Sequence, residues 1–135
     1  MSSQLVIDGT NSILGRLASY AAKQSLLGKE VNIVNCEKVV ISGSKEVILS
    51  KYKTIRSKGG SSQKGPYFPT QSARIVKRTI RGMLSHKEGR GAMALKRIKC
   101  YEGVPPEFSG SKKEHVAKAE GMRTIPMSKL SEELR

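Results

Sequence analysis

The segment from Arg74 to Leu84, reading Arg-Ile-Val-Lys-Arg-Thr-Ile-Arg-Gly-Met-Leu, most constrains what this chain can fold into. At about 100° per residue its polar and apolar positions separate cleanly. Arg74, Lys77, Arg78 and Arg81 fall at i, i+3, i+4 and i+7 on one stripe, while Val76, Ile80, Met83 and Leu84 fall on the other side. The pattern predicts a helix that buries one face and presents four cations side by side on the other. Like charges at this spacing repel by a few tenths of a kcal/mol per pair. No acid interrupts the run between Arg74 and Lys87. Solvated helix faces usually mix signs, so this stripe reads as an anion-binding face rather than a solvated one.

The distribution of charge supports that reading. The chain has 135 residues, with 25 Lys and Arg against 11 Asp and Glu, for a formal net charge of +14. Residues 1–50 carry a net +1 and residues 101–135 a net 0, whereas residues 51–100 carry +13, with Glu88 the single acid among fourteen cations. Such a concentration is the footprint of a polyanion-binding surface rather than of a generally basic tail. The cations of the middle third and its flanks are Lys51, Lys53, Arg56, Lys58, Lys64, Arg74, Lys77, Arg78, Arg81, Lys87, Arg90, Lys96, Arg97 and Lys99. His86 lies among them between Arg81 and Arg90, placed to hydrogen-bond a phosphate or base. These fifteen residues are the candidate binding set.

At this length one domain is expected, with a core large enough to need no staples. Leu5-Val-Ile-Asp8, closed by Gly9, reads as a buried strand. Asn11 or Ser12 offers an N-cap for a helix with Leu14, Leu17, Ala18 and Ala21 on one face, stopped near Gly28. Val31 to Val34 reads as a second strand, and strand–helix–strand favours a parallel pair. Val39 to Ile41 reads equally as a short strand or as the run-in to the next helix. That helix is capped by Ser44 and places Ile48, Tyr52 and Ile55 on one face. Gly59 to Pro66 is a small, polar loop. After the central helix come a break at His86 to Gly91, a short helix over Ala92 to Arg97 and a strand over Ile98 to Tyr101. The compact core is expected to span about 5–106, with 107–135 running over the surface and ending in a short helix from Pro126-Met-Ser128 to Leu134. Strands alternating with helices give an α/β layered domain.

Several chemistries are not supported. Gly9 to Gly15 fails both the Walker A spacing and Gly-x-Gly-x-x-Gly, so a small nucleotide- or phosphate-handling enzyme using the Gly9–Arg16 turn is the weaker alternative. His86, His115, Cys36 and Cys100 do not make an ordinary zinc site without added carboxylates, and the two cysteines read as small buried apolar residues in a reducing compartment. No metal, cofactor or small-molecule substrate is expected. Asp8, Asn11 and Arg16 interrupt any signal-like run, and no stretch approaches the ~20 apolar residues of a membrane span, so a soluble, intracellular protein is expected. Aromatic residues are few and there is no Trp, which favours backbone and shape reading of folded RNA over stacking on single strands.

The stretch Arg81-Gly-Met-Leu-Ser-His-Lys87, continued by Arg90-Gly91, Ala94-Leu95, Arg97-Ile98-Lys99 and Tyr101-Glu-Gly-Val-Pro-Pro106, resembles the L-thirteen family of large-ribosomal-subunit proteins. Val6-Ile-Asp-Gly9, Leu14-Gly-Arg-Leu-Ala18, Val34-Asn35 with Ile41-Ser-Gly43, and Gly65-Pro66 agree with it; Thr70 and Gln71 depart from it, the family often being more basic there. The resemblance implies a three-layer α/β/α domain with a small, mainly parallel sheet of about four strands, no catalysis, and binding to large-subunit ribosomal RNA in the cytoplasmic ribosome beside neighbouring ribosomal proteins. By position it puts Arg81, His86, Lys87, Arg90, Arg97 and Lys99 at the RNA. It gives Gly82 and Gly91 the role of allowing close backbone approach, and Met83, Leu84, Leu95 and Tyr101 places in the core. The expected type is archaeal, since the longer N-terminal lead of bacterial members and the C-terminal extension of eukaryotic ones are not seen.

Overall fold

The computed structural model describes residues 4–57, 69–116, 118–119 and 123–134. Its centre is a four-stranded parallel sheet. Strand β1 (Gln4–Asp8) pairs with β2 (Glu30–Val34), which pairs with β4 (Ile98–Cys100); on its other side β1 pairs with β5 (Glu114–His115), giving the order β4-β2-β1-β5. The α/β class and mainly parallel sheet agree with the sequence reading.

Side chains of β1, β2 and β4 alternate between two faces. Ile7, Val31, Ile33 and Ile98 point into the main core, where α1 (Leu14–Leu26), α2 (Lys45–Ser57), α3 (Ser72–Gly82), α4 (Gly89–Lys96) and α5 (Met127–Leu134) all place buried residues. Val6 and Val34 point the other way, and their cover is thin: Phe108, from a 3-10 turn at Pro106–Phe108, and Tyr101. Helix α1 presents Leu14, Leu17, Ala18, Ala21 and Ala22 to the core, three of them small enough to let backbones approach. It ends as expected at Gly28, whose φ of +100° suits a residue without Cβ and whose N–H reaches the Ser25 carbonyl at 3.0 Å.

Four local expectations change and one open reading is decided. The residue before α1 is Ile13, with no side-chain cap, whereas Asn11 adopts a left-handed conformation (φ 54°) and donates its N–H to the Lys38 carbonyl. The undecided Val39 to Ile41 stretch is a strand, β3 (Val40–Ser42), paired antiparallel with β6 (Thr124–Pro126) in a separate two-stranded sheet. Helix α4 begins at Gly89, not Ala92, which shortens the break before it. Strand β4 stops at Cys100, one residue short of Tyr101. Met83, assigned to the core, is 45% exposed because α3 ends at Gly82 and the chain turns there; Leu84 is buried, and Leu95 and Tyr101 are half-buried.

The Ser44 hydroxyl does cap α2, accepting from the Val47 N–H at 3.4 Å. The segment after residue 107 carries the expected terminal helix, and it also sends Phe108, Ile125, Met127, Leu130 and Leu134 inward. The loop from Gly59 to Pro66 lies outside the described residues.

Candidate nucleic-acid interface

Ile75, Val76 and Ile80 are completely buried, which fixes the rotation of α3 about its axis. The opposite stripe of Arg74, Lys77, Arg78 and Arg81 then has to face outward, as the periodicity dictates. It does not lie on a bare convex surface. Leu95 of α4 and Cys100 of β4 stand beside it, and with Pro69 and Ala73 they make a groove of about 380 Å³ whose cations come from α3. Arg74 and Arg81 are exposed at its edge, and Lys77 and Arg78 are half-buried. Among the described residues no acid lines the groove. Among the described residues no carboxylate forms a salt bridge with Arg74, Lys77 or Arg81. The mutual repulsion of Arg74, Lys77 and Arg81 is therefore not offset by an ion pair among the described residues.

The other candidate residues fall into separate groups. Lys96, Arg97 and Lys99 line a second cavity of about 280 Å³, but Glu30 and Glu107 share it, so its charge is mixed. Arg97 also has a structural task, since its guanidinium donates to the Ser25 carbonyl at 2.9 Å and ties the end of α1 to the start of β4. Lys51 and Lys53 are exposed on α2. Arg56 lies near the end of that helix with its side chain outside what is described, and Lys58 and Lys64 are outside the described residues altogether.

His86, Lys87 and Arg90 surround the start of α4. His86 is half-buried, and Lys87 and Arg90 are exposed. Arg90 sits in the first turn of the helix, where the macrodipole disfavours a cation. Gly91 acts differently from expectation. A Cβ on Gly91 would lie 2.0 Å from the Ser85 carbonyl oxygen, so this glycine serves a close approach within the chain itself; Gly82 and Gly89 have open space around them.

The β1–α1 turn, the seat of the enzyme alternative, has its donors turned inward. Gly9 N–H donates to the Val34 carbonyl (2.9 Å), Asn11 N–H to Lys38 (2.9 Å) and Ser12 N–H to Gly9 (3.1 Å). Thr10 donates both N–H (3.0 Å) and hydroxyl (2.7 Å) to Asp8 Oδ1, which also accepts from Asn35 Nδ2 (3.0 Å). Gly9 is small because a Cβ would meet the Val39 side chain at 2.7 Å, not because a phosphate needs the space. Burial works to raise the Asp8 pKa, but the hydrogen bonds from Thr10 and Asn35, with His115 nearby, outweigh it and hold the carboxyl below its ordinary 3.8. A carboxylate kept ionised at the centre of the turn repels phosphate. Among the described residues, no three His, Cys, Asp or Glu side chains are grouped to hold a metal ion, and no helix is long and apolar enough to cross a membrane.

Residues 2–107 match the family model described as ribosomal protein L13. The chain belongs to the ribosomal protein L13 family. Its relatives include the large ribosomal subunit protein uL13 of Methanosarcina barkeri, 50% identical over 128 residues, covering 94% of this chain and 90% of that protein. The uL13 protein of Methanococcoides burtonii is 48% identical over 118 residues, covering 87% and 84%. That of Thermoplasma acidophilum is 42% identical over 135 residues, covering 96% of each. These are archaeal-type relatives, and the family is one of ribosomal proteins rather than of enzymes. The sequence reading missed the groove walls, Ala73, Leu95 and Cys100, because a half-buried Leu or Cys has no pattern that separates it from core.

Proposed function

We propose that this chain is a structural constituent of the large ribosomal subunit that binds large-subunit ribosomal RNA through its basic surface and supports assembly of the subunit in the cytoplasm. The observation that carries this reading is the groove bearing Arg74, Lys77, Arg78 and Arg81, with no acid lining it among the described residues, in a family whose relatives are named as large-subunit proteins. Phosphate contacts fix position and register on RNA without reading sequence, which suits a row of cations on a rigid helix. Lys51, Lys53, Lys87, Arg90, Lys96 and Lys99 extend the contact set, and His86 adds a hydrogen-bonding group. The whole chain acts as one ribosomal-protein domain, with neighbouring large-subunit proteins as further partners. Sedimentation of a tagged copy from cell lysate tests the proposal. The protein should travel with the large subunit and be released as salt is raised; a copy found only at the top of the gradient overturns it.

A further inference from the structure

We propose that the groove beside α3 receives an unpaired nucleotide of the RNA, its base against the apolar walls and its flanking phosphates on the cations of α3. This deepens the RNA-binding reading above and rests on it. A continuous duplex needs only an exposed row of cations, since it presents phosphates outward and keeps its bases stacked inside. Nothing in such a duplex would cover Ala73, Leu95 and Cys100, which line the groove together with the cations. The volume of about 380 Å³ lies at the small end of the roughly 300–1,000 Å³ usual for pockets that hold a compact organic group, and a single base with its ribose is such a group.

Two further features fit this occupant. RNA proteins read unpaired bases by splaying them out against flat or apolar side chains and guanidinium planes, and Arg74 and Arg81 supply guanidinium groups at the groove edge. Extracting a paired base costs a few kcal/mol, least for one already unpaired, so a bulge or loop nucleotide is the matching ligand. An acidic peptide would satisfy the cations but leave the apolar walls uncovered.

Cys100 gives a test on the unaltered protein. It is half-buried in the groove wall, whereas Cys36 is fully buried, which leaves Cys100 as the accessible thiol. Three RNA hairpins are compared: a continuous duplex, the same duplex with a one-nucleotide bulge, and that bulge without its base. The bulged RNA should bind roughly tenfold more tightly than the other two, the order of one base contact. At equal occupancy it alone should protect Cys100 from N-ethylmaleimide, as read by peptide mapping. Ala73→Phe, which fills the groove with a ring, should abolish the preference. Equal affinities with equal Cys100 modification overturn the groove assignment and leave the RNA-binding reading standing. Protection of Cys100 by polyglutamate, matching that by the bulged RNA, assigns the groove to an acidic peptide instead. Failure to bind any of the three RNAs overturns both readings.

Discussion

The α3 groove and the β1–α1 turn both look like anion sites in sequence, one by its cations and the other by its glycines. They differ in where their donors point. At α3 the buried Ile75, Val76 and Ile80 force the charged stripe outward, and among the described residues no acid lines the groove beside it. At the turn, the backbone N–H groups of Gly9, Thr10, Asn11 and Ser12 are all spent on partners within the chain, around an ionised Asp8. Donor content therefore says little about anion binding until the direction and prior commitment of each donor are known.

The largest expected effect separates the two regions by salt. If six to ten phosphates are contacted, affinity for RNA should fall by roughly 10³ to 10⁵ between about 50 and 200 mM salt. The double change Arg74→Ala with Arg81→Ala should make the log–log slope shallower by about two, while Thr10→Ala in the turn should leave it unchanged. Equal slopes for all three proteins in filter binding would break the comparison.

Next in size is the division between the two faces of α3. Ile80→Ala should cost roughly 2–5 kcal/mol through the cavity it leaves, while Arg81→Ala should change stability by less than about 1 kcal/mol yet weaken RNA binding. Thermal melts giving the reverse ranking would mean that α3 is rotated. Gly91→Ala should then cost about 1–3 kcal/mol, because its Cβ has no room beside the Ser85 backbone. Gly15→Ala, in the first turn of α1 with open space around it, should be neutral or gain up to about 1 kcal/mol. A loss at Gly15 as large as at Gly91, in urea melts, would show that the turn has a role which the geometry does not assign to it.

The smallest effect concerns Asp8. Its folded pKa lies below the ordinary 3.8, so the charged form stabilises the fold at higher pH and that contribution is lost as pH falls through the folded value. Asp8→Asn should cost about 1 kcal/mol at neutral pH, the net value of a hydrogen bond. The gap from wild type should narrow below about pH 4. A gap that widens on acidification would show that Asp8 is not held ionised.

The sequence by itself determined the elements whose signals are local: the β1–α1–β2 unit, the cap at Ser44, the terminal helix and the two faces of α3. Each rests on a repeat of 2 or 3.6 residues, or on a cap within one turn, so neighbouring residues suffice to read it. The family resemblance added the functional class, through motifs that no periodicity explains. Only the tertiary structure decided that β3 pairs with β6 from near the far end of the chain. It also decided that Gly91 yields to Ser85, that Met83 faces outward, and that Leu95 and Cys100 turn a charged stripe into a groove. Those outcomes depend on which surfaces meet after distant elements pack, and the period of a single element carries no information about its neighbours in space.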